Sequence, residues 1–112
     1  MVSEYEEQAA VCQYLNLRQL PFVHIANEGK RSQATGARLK AIGMQKGFPD
    51  LFIIVPNAEY HGLFIEMKTL KGRLTPEQRQ WLELLNERGY KAVCCHGFWE
   101  ARRTIDEYMG VK

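Results

Sequence analysis

The sequence lacks three features that would place it in a common protein class at once: long apolar runs, paired cysteines and a strong net charge. No apolar run approaches the roughly 20 residues that a membrane-spanning helix needs, so we expect no membrane partner. The net charge of +2 permits a polyanionic partner without requiring one. The 112 residues, 46% of them apolar, suffice for one core, and we expect residues 1–112 to form a single domain.

Cysteine is scarce as well. The three cysteines form an odd set without paired spacing, which argues against a disulfide framework and fits a reducing cytoplasm. Cys94 and Cys95 can be proposed as half of a zinc site, but adjacent strand residues point to opposite faces and the sequence offers no second ligand pair. We therefore interpret both as core-filling side chains.

The middle of the chain is predicted to form a β-hairpin. The run Leu51–Val55 is apolar without alternation, as expected of a strand covered on both faces, and the alternating run Leu63–Lys68 is the second arm. Period 2 places Glu66 and Lys68 on one face of that arm. Pairing of the two arms would bring Asp50 close to Glu66.

The surrounding pattern predicts an α/β fold with a central mixed sheet of four strands flanked by helices. Helical spacing, capping boxes and stop signals predict helices over residues 4–17, 33–45, 76–88 and 98–109. Short apolar runs predict strands over residues 22–26, 51–55, 63–68 and 90–95. His24 lies on the first of these strands, and we interpret it as a structural residue.

Two polar side chains share the apolar stripes of predicted helices. Glu7 either faces the hairpin as an additional acid or marks the solvent end of its stripe beside Glu4 and Glu6. Gln78 forms a capping box with Thr75, and it either caps its helix only or also turns toward the hairpin. The sequence leaves both alternatives open.

The hairpin charges point to metal-dependent hydrolysis. Two carboxylates and a backbone carbonyl suit Mg²⁺ or Mn²⁺, hard ions that favour oxygen ligands. Such an ion polarises a phosphate and lowers the pKa of a bound water, which Lys68 can orient. Alternating Glu and Lys residues usually form a solvated face, so the spacing alone is a weak signal. Pro49 before Asp50, and basic loops on both sides of the hairpin, strengthen it.

Several segments together resemble a known nuclease family. Pro49-Asp50, followed after fifteen intervening residues by Glu66-Met67-Lys68, looks like the PD-(D/E)XK nuclease signature. Three further segments resemble the VRR-NUC family, the virus-type replication-repair nuclease domain: Asn27–Ser32, Gly43–Asp50 and Leu74–Trp81. The resemblance covers nearly the whole chain.

The resemblance implies a restriction-endonuclease-like αβββαβ core and a set of active-site residues. Asp50, Glu66 and the main-chain carbonyl of Met67 would be metal ligands, and Lys68 would be the catalytic lysine. Gln78 would match a glutamine that follows the lysine in related nucleases.

A first-helix acid is also implied as a metal ligand and catalytic residue. Glu7 would match it, although Glu4 and Glu6 lie close enough in sequence to leave the assignment open. Stand-alone members of phage or bacterial type are similar to Holliday-junction resolvases, which implies a homodimer.

We therefore expect an Mg²⁺- or Mn²⁺-dependent DNA endonuclease of replication, repair or recombination, cutting flaps or Holliday junctions. It would act in the cytoplasm of a bacterium or of a phage-infected cell, without a small-molecule cofactor. The competing interpretations are a catalytically weak nucleic-acid-binding module of a replication complex and a small structural α/β domain. The residues expected to contact nucleic acid are mostly basic and lie in the flanking segments: Asn27, Lys30, Arg31, Ser32, Arg38, Lys46, Lys71 and Arg73.

Overall fold

The computed structural model describes residues 2–26 and 32–111, which form four helices and four strands. In chain order these are α1 (Glu4–Leu17), β1 (Phe22–His24), α2 (Gln33–Ala41), β2 (Leu51–Ile53), β3 (Leu63–Lys68), α3 (Pro76–Glu87), β4 (Lys91–His96) and α4 (Phe98–Tyr108). No helix within these two ranges is long and apolar enough to cross a membrane.

The four strands form one mixed sheet in the order β1-β2-β3-β4. β2 pairs antiparallel with both β1 and β3, whereas β3 pairs parallel with β4. The predicted hairpin therefore lies at the centre of the sheet. The predicted α/β fold with a mixed four-stranded sheet flanked by helices is confirmed.

Helices α1 and α4 cover one face of the sheet. The inward side chains of β2 and β3 pack there against Val11 and Leu15 of α1 and Ile105 of α4, all of which are fully buried. The residues that β2 and β3 contribute to this core are Leu51, Ile53, Leu63, Ile65 and Met67.

Helix α3 covers the other face. Phe64 of β3 packs there with Leu82 and Leu85, and the Phe52 ring of β2 stacks on Phe64 with 4.3 Å between centroids. β2 is thus covered on both faces, as its unbroken apolar run predicts. The alternation of β3 is confirmed, because Glu66 contacts α3 while its neighbours enter the opposite core.

A proline limits the ladder between β1 and β2 at one end. Both strands end earlier than predicted, at His24 rather than Ala26 and at Ile53 rather than Val55. Beyond Ile53 the Ile54 N–H donates to the Pro21 carbonyl at 2.8 Å, but Pro21 has no N–H with which to return the bond, so the ladder ends there. Beyond His24 the Ile25 N–H donates to the Asp50 carbonyl at 2.7 Å, which is the last bond of the ladder at that end.

Helix α2 ends at Ala41, whereas the sequence predicts an end near Gln45. Gly43 has a φ of +101°, and the N–H groups of Gly43 and Met44 donate to the carbonyls of Lys40 and Leu39, both at 3.0 Å. These bonds form a Schellman-type helix end, which requires the left-handed conformation that glycine adopts without strain. None of the nine α2 residues, all of them described, is buried.

Candidate active site

The register of the hairpin places Asp50 and Glu66 side by side. Leu51 pairs with Ile65, so the next position outward sets residue 50 opposite residue 66. Both carboxylates are nevertheless buried, Asp50 at 3% exposure and Glu66 at 1%. Two buried acids this close repel each other unless a cation or proton stabilises them.

Asp50 is fixed to the β3 backbone. Its Oδ2 accepts a hydrogen bond from the Met67 N–H at 2.9 Å. The N–H and C=O of one strand residue point to the same side, so the Met67 carbonyl also faces the Asp50 side of β3. That placement is compatible with the ligand role that the family resemblance implies for this carbonyl.

Glu66 receives contacts from two donors. Its Oε2 accepts a hydrogen bond from Gln78 Nε2 at 3.3 Å and lies 3.9 Å from Lys68 Nζ. Lys68 follows two positions later on the same face of β3 and is partly exposed at the strand end. The lysine is therefore close to the acids and still accessible to a substrate.

Gln78 takes the second of the two alternatives that the sequence left open: it caps its helix and also turns toward the hairpin. Its Oε1 accepts from the Thr75 N–H at 2.9 Å and completes the capping box of α3, while its Nε2 donates to Glu66. The two ends of one amide thus serve two partners, because an amide carries both a donor and an acceptor. This side chain links the start of α3 directly to the acidic site.

Glu4, and not Glu7, brings the third carboxylate to this site. Among the described residues, one group of acids can hold a metal ion: Glu4, Asp50 and Glu66 each offer an oxygen within 4.8 Å of the others. Glu4 opens α1 and lies seven residues before buried Val11, which puts it on the same stripe of the helix as Glu7. Spacing therefore could not separate the two glutamates.

Glu7 is not a member of this group of acids. Its Oε2 accepts a hydrogen bond from the Phe98 N–H at the start of α4. Gly97, the N-cap of α4, has no side chain to accept from the first turn, and the Glu7 carboxylate fills that role. An acid at a helix N-terminus is also favoured by the helix dipole.

The basic loop after β3 stands beside Lys68. Lys71 and Arg73 are exposed, and the loop is held by a bond from the Gly72 N–H to the Thr69 carbonyl at 3.0 Å. A His96 ring nitrogen lies 3.0 Å from the Gly72 carbonyl and ties the loop to the end of β4. His96 is a residue that sequence reasoning missed, since only the parallel pairing of Lys68 with His96 brings it here.

The other predicted nucleic-acid contacts lie in or near α2. Ser32 caps α2 by accepting from the Thr35 N–H, and Ser32 and Lys46 both line a groove of about 1080 Å³ between α2 and α3. Gln78 lines the same groove, and because Gln78 also contacts Glu66, the groove reaches the acidic site. Arg38 is exposed on α2 and is not among the groove residues. Asn27, Lys30 and Arg31 lie outside the described residues.

Packing of aromatic rings stabilises the turn that leads to Asp50. The Phe48 ring meets Trp81 of α3 at 5.0 Å and Phe64 of β3 at 5.4 Å, and Trp81 Nε1 donates to the Lys46 carbonyl at 3.1 Å. Gly47 has a φ of +87°, and a Cβ added there would lie 2.8 Å from Glu77 Cβ. No local pattern in the sequence indicates this close approach of the turn to the helix.

The cysteines do not form a metal site in the described part of the chain, where all three are free. Cys94 packs on the α3 face and Cys95 in the opposite core. Burial raises the pKa of each thiol to about 11, and for Cys94 the neighbouring Glu66 carboxylate adds to this increase in pKa. Both are core-filling side chains, as the sequence predicts.

The fold and its acidic cluster together define the class: an α/β domain of nuclease type. A comparison with protein-family models agrees, because the model for the VRR-NUC domain matches residues 2–99. The chain belongs to the VRR-NUC family.

Solved structures support this assignment. A "VRR_NUC domain protein" is 27% identical, with a TM-score of 0.87 over 99% of this chain and 91% of that one. A second structure, a "VRR_NUC domain", shares the fold at 20% identity, with a TM-score of 0.65 over 94% of this chain and 96% of the other. A search of curated proteins found no significant match.

Proposed function

We propose that this chain is a metal-dependent DNA endonuclease whose site is formed by Glu4, Asp50, Glu66 and Lys68. The convergence of three carboxylate oxygens within 4.8 Å, next to a lysine, is the observation that carries the proposal. A domain that only bound nucleic acid would gain nothing from acids beside a phosphate path, because they repel it. We propose further that residues 1–112 form one nuclease domain.

The donor set fits a hard divalent cation. Carboxylate oxygens from three residues, with the Met67 carbonyl on the same side, are ligands that Mg²⁺ and Mn²⁺ accept. No described sulfur or imidazole belongs to this group, which disfavours zinc. When bound, such an ion would polarise a phosphate oxygen and lower the pKa of a water.

The residues of the chain have separate tasks in this proposal. Asp50 is held by the Met67 N–H, and Glu66 is held by Gln78, so both carboxylates are oriented before a substrate arrives. Lys68, at the open end of β3, orients the attacking water or stabilises the negative charge that develops on the phosphoryl oxygens. Gln78 is a positioning residue, because it acts on Glu66.

The proposal also covers the residues that contact DNA, the DNA structure that is cut, the oligomeric state and the cellular role. Lys71 and Arg73 beside Lys68, and Lys46 in the α2–α3 groove, contact the DNA backbone. The resemblance to family members of phage or bacterial type supports flap or Holliday-junction DNA as the substrate and a homodimer as the assembly. It also supports a role in replication or repair in the cytoplasm. Free cysteines fit a reducing compartment.

A cleavage panel tests the proposal. Linear duplex, flap and four-way junction are incubated with the wild-type chain or with Asp50→Asn, in Mg²⁺, Mn²⁺ or chelator. The wild type is expected to cut at least one substrate with either ion and none in chelator, and Asp50→Asn is expected to cut none while keeping its circular-dichroism spectrum.

The matched control is Glu83→Gln, which removes one charge from the exposed side of α3 and should cut like the wild type. Cleavage retained by Asp50→Asn would refute the site. Metal-independent binding without any cleavage by the wild type would favour the binding-module alternative.

A further inference from the structure

A second cleft opens on the acidic cluster from the side opposite the α2–α3 groove. It lies between α1 and β1, has a volume of about 430 Å³, and is bordered by Glu4 and Asp50, two of the three clustered acids. A group bound in this cleft would therefore lie next to the scissile phosphate of the proposed reaction. We call it the α1–β1 cleft.

The lining of the α1–β1 cleft suits a neutral, flat ligand. Its apolar part includes Cys12 and Ile25, and Tyr5 presents a ring that is 83% exposed. None of the described lining residues is Lys or Arg, and two are acids. A phosphate is disfavoured in such surroundings, whereas a nucleobase is neutral and has two apolar faces.

Three side chains can recognise a base here. Tyr5 offers a stacking surface, and Gln8 and His24 offer hydrogen-bond donors and acceptors to a base edge. Tyr5 directly follows Glu4, and Gln8 lies one helical turn beyond Glu4, so the first turns of α1 carry both an acid of the cluster and the base contacts. His24 is exposed at the end of β1, on the other wall.

We infer that the α1–β1 cleft binds the base of an unpaired nucleotide adjacent to the cleaved phosphodiester. A base inside a duplex has both faces stacked and its Watson–Crick edge paired, so only an unpaired base can enter between helix and strand. The inference rests on the proposed function and narrows its substrate to DNA with a single-stranded nucleotide at the cut. It also gives His24 and Tyr5 a role that the sequence did not suggest.

The test compares binding of a flap substrate and a fully paired duplex of equal length, each labelled with a fluorophore, in Ca²⁺. Gels confirm that the DNA stays intact. Tyr5→Ala should weaken flap binding by about 5- to 150-fold, the loss of one base–aromatic stack, and should change duplex binding little. Tyr5→Phe keeps the ring and should bind like the wild type. Trp99→Ala is the matched control, because Trp99 is an aromatic residue 72% exposed on α4.

A fluorescent base reports the contact itself. 2-Aminopurine at the unpaired position next to the junction should be quenched by the wild type and by Tyr5→Phe, and not by Tyr5→Ala. Equal binding of flap and duplex by the wild type, or equal weakening of both by Tyr5→Ala, would overturn the inference. These readouts do not need turnover, so they stay separate from the proposed nuclease activity, whose failure would show as cleavage by Asp50→Asn.

Discussion

At the scale of single residues, two glutamates one helical turn apart have different tasks. Glu4 joins the acidic cluster with Asp50 and Glu66, whereas Glu7 accepts a hydrogen bond from the Phe98 N–H and caps α4. Both lie on the inward stripe of α1, so only their positions along the helix axis separate them. Glu4 reaches the sheet end that carries the hairpin acids, and Glu7 reaches the start of α4.

Alanine at each position should separate these tasks. Glu7→Ala should lower the free energy of unfolding by about 1–2 kcal/mol, as loss of a helix cap does, with little change in cleavage by the folded protein. Glu4→Ala should reduce Mg²⁺-dependent cleavage by more than about 10-fold with a smaller stability loss, because one of three mutually repelling carboxylates is removed. Urea denaturation and single-turnover cleavage measure the two quantities. Loss of cleavage in Glu7→Ala with cleavage retained in Glu4→Ala would mean that Glu7 is the first-helix acid of the site.

At the scale of elements, the turn before β2 and the start of α3 hold the site together. Gly47 lies against α3, Phe48 packs on Trp81, and Gln78 reaches from α3 to Glu66. The position of Asp50 relative to Gln78 therefore depends on how closely the turn approaches the helix.

Two glycines with positive φ provide a matched test of that approach. Alanine at Gly43 or Gly47 meets the same left-handed strain of about 1–2 kcal/mol, but a Cβ at Gly43 enters open space whereas one at Gly47 lies 2.9 Å from the Gln78 backbone nitrogen. Gly47→Ala should therefore lower both thermal stability and cleavage clearly more than Gly43→Ala. Equal losses in the two variants would mean that the contact with α3 does not position the site.

Much of this arrangement could be predicted from local pattern. Period 2 in β3 and the unbroken apolar run of β2 gave the hairpin, and the capping box gave the start of α3, because each depends on neighbours in sequence. The choice between Glu4 and Glu7 could not be predicted, since it depends on where α1 lies across the sheet. His96 and Gly47 act through contacts with residues 24 and 30 positions away in sequence, which no local signal encodes.

At the scale of the whole molecule, the charged and aromatic surfaces are arranged around one end of the sheet. The basic loop of Lys71 and Arg73 stands next to Lys68, the α2–α3 groove reaches Gln78, and the α1–β1 cleft reaches Asp50. A DNA strand crossing the acidic cluster could thus contact basic residues on one side and the cleft on the other. The opposite end of the sheet carries Lys91, paired with Leu63 at the start of β3.

The salt dependence of DNA binding tests whether the DNA contacts lie at this end of the sheet. Replacing Lys71 and Arg73 by alanine should weaken binding and reduce the slope of log K against log salt by up to about 1.8, which is about 0.9 per lost phosphate contact. Lys91→Ala, at the far end of β4, should leave the slope unchanged. An unaltered slope in the double variant would mean that Lys71 and Arg73 do not contact DNA phosphates.

The central claim is that Glu4, Asp50 and Glu66 hold a divalent cation, and calorimetric titration of the DNA-free protein with Mn²⁺ tests it most directly. The account predicts saturable binding by the wild type, loss of that binding in Asp50→Asn, and retention in Glu83→Gln. Wild-type affinity for Mn²⁺ in Asp50→Asn would contradict it.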